Sequence, residues 1–333
     1  MSDILFLGGT SFVGRHIAEA LIAGGHEVTF FHRGQTGATL FPQQRHIHGD
    51  RYGDLTELAG IEPEYVVDTS GYTPDAVAAS AAAVARSVKR YLFVSSVDAC
   101  DLSAPAIDET SATKTLPEGA STSTFDVELY GALKARAEER LRETLGDERV
   151  VVIRAGLMVG PYDATDRFTY WPARVARGGE ILAPVGPSLP VQFIDVRDVA
   201  AWTAGAIARE LHGTYGLVGT PGALTLGDVL DACIAAAHGD ARFAWASADF
   251  LAEHDVGPWV QMPLWLPPTP ELAGLLNVSN AKARATGLTL RPLADTVRDT
   301  LAEFRTRPAD YTLRAGLEPE REVELLNILA QSA

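Results

Sequence analysis

An unbroken apolar run that passes straight into a glycine-rich turn and then an amphipathic helix leaves a chain few ways to fold. Ile4-Leu5-Phe6-Leu7 leads into Gly8-Gly9-Thr10-Ser11-Phe12-Val13-Gly14. Phe12, Val13, Ile17, Leu21 and Ile22 then recur at helical spacing as far as Gly24-Gly25. Four consecutive apolar residues suit a strand covered on both faces, as in the middle of a parallel sheet. Val28-Thr29-Phe30-Phe31 supplies a second strand. The alternation continues, with residues 65–68, 90–94 and 150–153 reading as strands and 75–88 and 130–145 as helices. Strands alternating with helices predict the α/β class, here a Rossmann-type doubly wound parallel sheet.

After Arg154 the alternation becomes irregular, and 333 residues correspond to about two domains. Residues 1–154 and 193–220 are expected to form the sheet domain. Residues 155–192 and 221–310, where proline and aromatic residues cluster, are expected to form a smaller, mainly C-terminal substrate domain. Residues 311–333 read as a tail with a short helix over 319–329, Val323, Leu326 and Leu329 lying on one side. Packing against its own chain is preferred for this helix over a partner-binding role. Residues 101–123, rich in Ser, Thr, Ala and Pro, are too long for an ordinary connection and are expected to be a lid or a flexible insert.

Charge narrows the partners. The chain carries 28 Lys+Arg against 43 Asp+Glu, a net −15. Non-specific affinity for nucleic acid comes from phosphates neutralised by cations, so this balance opposes it. It equally opposes docking on an anionic membrane. A hydrophobic fraction of 47% with 21% charged can fill a core. Cys100 and Cys233 form no ligand or disulfide pattern, which suits a reducing cytoplasm. The N-terminal residues lack the basic region of a signal peptide, and no apolar run reaches the roughly 18 residues of a membrane span. A cytoplasmic enzyme of small molecules is the expectation. His46 and His48 alternate along one strand without a carboxylate or cysteine at ligand spacing, so no metal site is expected.

The turn between the first strand and helix is where a dinucleotide pyrophosphate binds. Glycines let the backbone approach the phosphates, and the helix start supplies free N–H groups and partial positive charge. Gly8, Thr10, Ser11, Phe12, Val13 and Gly14 are the candidate residues, although Ser11 stands where the three-glycine fingerprint has its middle glycine. An acidic residue at the end of the second strand would select NAD. Here the chain reads His32-Arg33-Gly34. A cation there suits the 2′-phosphate of NADP, or Arg33 stacks on adenine and NAD is allowed; the reading leans to NADP. In Gly49-Asp50-Arg51, Asp50 is placed to meet the adenine amino group, with Arg51 beside it.

Tyr130 and Lys134 form a Tyr-x-x-x-Lys pair on one helix face. A lysine ammonium near a phenol favours the phenolate, as would an oxidised nicotinamide. The tyrosine then becomes a general acid/base usable near neutral pH. Ser96 ends the strand over 90–94 at the carboxyl edge, where ligands bind in such sheets, and its hydroxyl can hold a substrate oxygen.

With Phe93-Val94-Ser95-Ser96, Gly160-Pro161 and Phe193-Ile194-Asp195-Val196-Arg197-Asp198, these motifs resemble an extended or atypical short-chain dehydrogenase/reductase of the NAD-dependent epimerase/dehydratase family, over residues 1–305. The Gly-Gly-Thr-x-Phe-x-Gly-Arg loop is similar to an atypical subgroup that includes chloroplast stem-loop-binding proteins. The resemblance implies Ser96, Tyr130 and Lys134 as the catalytic triad. It implies Lys134 also at the nicotinamide ribose, Ser70 in the cofactor set, and a homodimer. It assigns Asp98 as the residue acting on the proton beside a transient ketone, with a capping aspartate as the alternative.

Two departures matter. Leu157 stands where diphosphate-sugar enzymes of the family have asparagine, and Val191 where they have arginine. A pyrophosphate without such partners is poorly paired. Arg167, Tyr170, Trp171 and Gln192 are the candidate substrate residues, with a domain core as the other reading of the aromatic pair. The function implied is NAD(P)-dependent oxidoreduction at a secondary alcohol of a sugar-like or nucleoside-like small molecule, of epimerase/dehydratase type with internal hydride return. The alternatives are a net NADPH-dependent ketone reductase and, disfavoured by the triad and the charge, a non-catalytic RNA-binding scaffold.

Overall fold

The computed structural model of the chain describes residues 2–332, in two compact units. The first comprises the chain up to Met158 with Val196–Thr220 and Glu271–Thr289; the second comprises Val159–Asp195, Pro221–Pro270 and the chain from Leu290 onward. Among the described residues no helix is long and apolar enough to cross a membrane.

The first unit is built on a seven-stranded sheet. Its strands are β1 (Asp3–Leu7), β2 (Glu27–His32), β3 (Arg45–His48), β4 (Tyr65–Asp68), β5 (Arg90–Ser96), β6 (Val150–Ala155) and the strand Gly213–Leu217. In space the order is Gly213–Leu217, β6, β5, β4, β1, β2, β3, and every neighbouring pair is parallel. Parallel strands need long crossovers, so helices cover the faces. The crossovers include α1 (Phe12–Ala23), α2 (Pro74–Val84) and α3 (Tyr130–Leu145). Strands covered on both sides explain the all-apolar runs: Ile4 to Leu7, Val66, Val67 and Tyr91 to Phe93 are essentially inaccessible. One face packs Leu5, Leu7, Val66, Phe93 and Val152 against Val77 and Ala81 of α2 and Leu141 of α3. The order reverses between β1 and β4, and the loops leaving their carboxyl ends diverge to open a crevice there.

Residues 101–123 are neither lid nor flexible insert. Ile107 is buried with Val97, Leu102, Val218 and Val278. Its amide donates to the Asn277 carbonyl at 3.1 Å, and Ser279 N–H donates to the Ile107 carbonyl at 2.7 Å. Glu109 accepts Gly216 N–H at 2.9 Å on the sheet-edge strand. These bonds draw 271–289 into the first unit rather than the C-terminal one.

The second unit has its own core. Phe168, Tyr170 and Trp171 are fully buried, and the Trp171 indole donates to the Pro263 carbonyl at 3.0 Å. Gly316, at φ +100°, lies so close that a Cβ there would sit 1.9 Å from the Tyr170 ring. The tail helix, Pro319–Ser332, packs on this unit by a face rotated from the expected one. Leu325 and Glu322 are buried and Val323 is exposed. A charge sets that rotation: Glu322 takes the Arg174 guanidinium at 2.6 Å and Leu182 N–H at 3.2 Å. Removing one partner of such a buried pair strands the other. Glu322→Ala should therefore lower the unfolding free energy by about 3–5 kcal/mol. Denaturant titration checks this, and Arg174→Met combined with Glu322→Leu should recover most of the loss.

Candidate active site

The crevice at the β1/β4 reversal is a cleft of about 410 Å³. Gly8, Thr10, Ser11, Phe12, Val13, His32, Arg33, Asp50, Arg51 and Ser70 all line it, so the sequence-derived cofactor set converges on one site, apart from Gly14 and Lys134. Gly14 does its work from behind: a Cβ there would lie 2.8 Å from Gly9 Cα, so its absence lets α1 approach the turn. Gly9 is itself wedged against Phe30 and Phe6, at φ +88°. The first helical amides of α1 have no intrahelical acceptor; Arg15 N–H, to the Ser11 carbonyl at 3.2 Å, makes the first such bond. The Ser11 side chain makes no capping bond. Glycine cradle, open amides and cleft volume fit a bound dinucleotide pyrophosphate.

At the far end His32 turns inward. Gly34 N–H donates to His32 Nδ1 at 3.0 Å, so the ring's proton sits on Nε2 and is donated to His46 Nδ1 at 2.8 Å. His46 Nε2 in turn donates to the Phe41 carbonyl at 3.1 Å. Burial, then the nearness of His46 and His48, hold the His32 pKa below its usual value. His46 thus braces the loop after β2 rather than lying idle on an edge strand. Arg33 is exposed at the cleft, with no hydrogen bond or ion pair among the described residues. Asp50 is exposed too, its carboxylate closing a turn by accepting Tyr52 N–H at 3.0 Å. Arg51 departs from expectation: its guanidinium is buried beneath the cleft, 2.6 Å from Asp68, because a buried carboxylate draws it inward.

Ser96, Tyr130 and Lys134 come together beside this cleft. Tyr130 opens α3, and Gly131 behind it lets the helix start press on the short turn Val97–Ala99; a Cβ at Gly131 would lie 2.1 Å from the Asp98 carbonyl oxygen. Burial pushes the Tyr130 phenol up to about 12, opposed by a hydrogen bond with Ser96. Lys134 is fully buried and donates to the carbonyls of Gly71 at 2.8 Å and Val94 at 2.9 Å. Its ammonium lies over the rings of Phe93 (4.7 Å), Tyr72 (5.1 Å) and Tyr130 (6.0 Å). Burial pulls its pKa down to about 8. The dominant effect on both groups is therefore desolvation, not the lysine–phenolate attraction expected from spacing. Tyr72, missed in the sequence, lines the cleft and also lies beneath Lys134. Behind the triad, Ser95 donates to Glu138 at 2.6 Å, and Glu138 also takes the Arg154 guanidinium at 2.8 Å.

Solved structures share this architecture. A Bordetella bronchiseptica enzyme, WbmH, in complex with NAD⁺ is 18% identical, with a TM-score of 0.65 over 92% of this chain and 99% of that one. UDP-glucose 4-epimerase from Thermus thermophilus with NAD is 21% identical, at 0.63 over 92% and 100%. UDP-glucuronic acid 4-epimerase from Bacillus cereus with NAD is 12% identical, at 0.65 over 94% and 99%. The chain shares the fold of these NAD-bound enzymes. No protein-family model matches the chain, and no curated protein does.

Within this fold the remaining candidates separate. Asp98 is tied to Lys114 at 2.5 Å, and its amide donates to Ser96 Oγ at 3.1 Å, so Ser96 rather than Asp98 caps the short turn. Tyr170 and Trp171 are corrected from substrate residues to core of the second unit, where full burial denies them to any ligand. Gln192 is half-buried between two short strands of that unit. Arg167 is half-buried there with its guanidinium 4.6 Å over the Trp259 ring. No group of three or more His, Cys, Asp or Glu among the described residues could hold a metal. Gly131→Ala tests the packing that sets Tyr130. Alanine is the better helix former by about 1 kcal/mol, yet the clash should make the variant less stable by about 1–3 kcal/mol, as denaturant titration would show.

Proposed function

We propose that this chain is an NAD(P)-dependent enzyme that oxidises and reduces a secondary alcohol of a sugar-like or nucleoside-like small molecule, with the hydride returned within one catalytic cycle. The observation that carries this reading is the assembly of Ser96, Tyr130 and Lys134 next to a glycine-cradled cleft at the sheet's reversal point. The bound nicotinamide would supply the hydride acceptor and donor. Gly8, the amides opening α1, Arg33 and Ser70 would hold the dinucleotide, and Lys134 the nicotinamide ribose.

The chain's own residues then handle one proton. Ser96 holds the substrate oxygen beside Tyr130. Tyr130 gives its phenolic proton to that oxygen during reduction and takes it back during oxidation. At about 12, the phenol keeps its proton across the neutral range, which suits the acid role. The base role needs nearby positive charge, from Lys134 and from an oxidised nicotinamide. Asp98 supports Ser96 through its amide and is held from the other side by Lys114. Leu157 and Val191, where family members have diphosphate partners, favour a substrate without a nucleoside diphosphate. Arg33, unpaired at the ribose end, favours NADP.

Mass spectrometry of the purified protein should find a bound nicotinamide dinucleotide. Arg33→Ala should weaken NADPH about tenfold more than NADH, since a charge-assisted phosphate contact is lost only in the former. Tyr130→Phe should cut turnover by about 10²–10⁴; full turnover in that variant would refute the assigned role. Lys134 is an ammonium below its pKa of about 8 and neutral above it. Above it the phenolate left when Tyr130 gives up its proton loses the ammonium's stabilisation, so rates of reduction should fall as pH rises through that value and be restored on returning to neutral pH.

A further inference from the structure

Arg51 makes more bonds than an ion pair requires. One terminal nitrogen donates to Asp68 at 2.6 Å and to Ser70 Oγ at 3.2 Å; the other donates to the Ala76 carbonyl at 3.2 Å and Ser80 Oγ at 3.1 Å. Asp68 is completed by the Tyr91 hydroxyl at 2.8 Å and by Ser70 N–H at 3.0 Å. Ser70 is thus gripped through amide and hydroxyl together. Thr69 N–H, one residue earlier, is fixed to the Leu7 carbonyl at 3.1 Å. Gly71, one residue later, presents its carbonyl to Lys134. It has no room to shift towards α2 or β5: a Cβ there would lie 2.6 Å from Val77 and 2.7 Å from Phe93. A buried ion pair is a poor source of stability compared with an apolar pair of similar volume, so its bonding pattern points to a geometric task.

We propose that Arg51 and Asp68 are positioning residues for Lys134: their buried pair clamps the turn after β4, and so sets the Gly71 carbonyl that anchors the lysine ammonium at the nicotinamide end of the cleft. The naming of that end rests on the function proposed above; the effect on Lys134 does not. The groups facing the ammonium are Asp68 from β4, Arg51 from the loop after β3, Glu138 and Tyr130 from α3, Tyr72 from the clamped turn, and Phe93 from β5. Asp68 and Glu138 favour the charged lysine, whereas Arg51 and burial oppose it. Clamp and charge balance thus come from one pair.

The chain has four lysines, Lys89, Lys114, Lys134 and Lys282, so lysine labelled with ¹³C at Cε gives a spectrum simple enough to titrate residue by residue. The Lys134 signal is the one missing in K134R. In D68N the anion is gone and Arg51 remains, so the Lys134 midpoint should fall by about one unit. A midpoint unmoved in a D68N protein that unfolds at the wild-type temperature would overturn the proposal. In R51M/D68N both charges leave, and the midpoint should return towards wild type. The clamp is still lost, so NADPH, titrated by its fluorescence, should bind about tenfold more weakly. Wild-type affinity in that double variant would overturn the proposal even if D68N did not fold. A wild-type protein that bound neither NADH nor NADPH would instead refute the proposed function, and the lysine titration would still judge the pair.

Discussion

An ammonium taken fully out of water is costly unless it is bonded on every side it can be, and the first unit is arranged around the one at Lys134. Two carbonyls from different strand ends receive it, three aromatic rings surround it, and a carboxylate lies within electrostatic reach. Those groups come from three elements: Asp68, Gly71 and Tyr72 from β4 and the turn after it, Phe93 and Val94 from β5, and Tyr130 from α3. The lysine therefore can be buried only if β4, β5 and α3 are already in register. The local chemistry of the site and the packing of the core are in this sense one problem.

The sheet was legible because its strands are hydrophobic on both faces, which leaves little else for Ile4-Leu5-Phe6-Leu7 or Val150-Val151-Val152-Ile153 to be. The glycine turn was legible because backbone conformation and close approach depend on residue type alone. Residues 101–123 were misread for the opposite reason. Their order comes from Ile107 and Glu109 meeting segments more than one hundred residues away, and no local pattern encodes that partner. The tail helix was misread in rotation, since burying Glu322 against Arg174 outweighs placing Val323 inside. Hydrophobic periodicity assumes that charges face water, and a buried ion pair breaks that assumption.

Arg51, Asp98, Tyr170 and Trp171 show how far residue type can mislead at a site. All four have the right chemistry at plausible positions. Burial decides against Tyr170 and Trp171, while ion pairing decides what Arg51 and Asp98 do. Gly131 is the converse: it carries no chemistry, and yet its missing side chain brings Tyr130 to Ser96. The signal was present in Tyr130-Gly131 but could be understood only once the Val97–Ala99 turn was seen beneath it.

Burial has a further consequence for the proton chemistry. It raises the phenol of Tyr130 to about 12 and depresses the ammonium of Lys134 to about 8, so the two move apart while both stay above the neutral range. Alone, such a pair is a competent acid and a poor base. Positive charge arriving at the cleft would lower the phenol, and the effect is strong in a desolvated site because little water is present to screen it. Under the proposed function, such a pair would suit a reaction in which charge on the dinucleotide alternates. Oxidation calls for a base and begins with the positive ring in place. Reduction calls for an acid and begins with the neutral one. A site open to water would weaken that coupling, which gives a physical reason for placing Tyr130 and Lys134 behind Tyr72 and Phe93 instead of at the cleft's mouth.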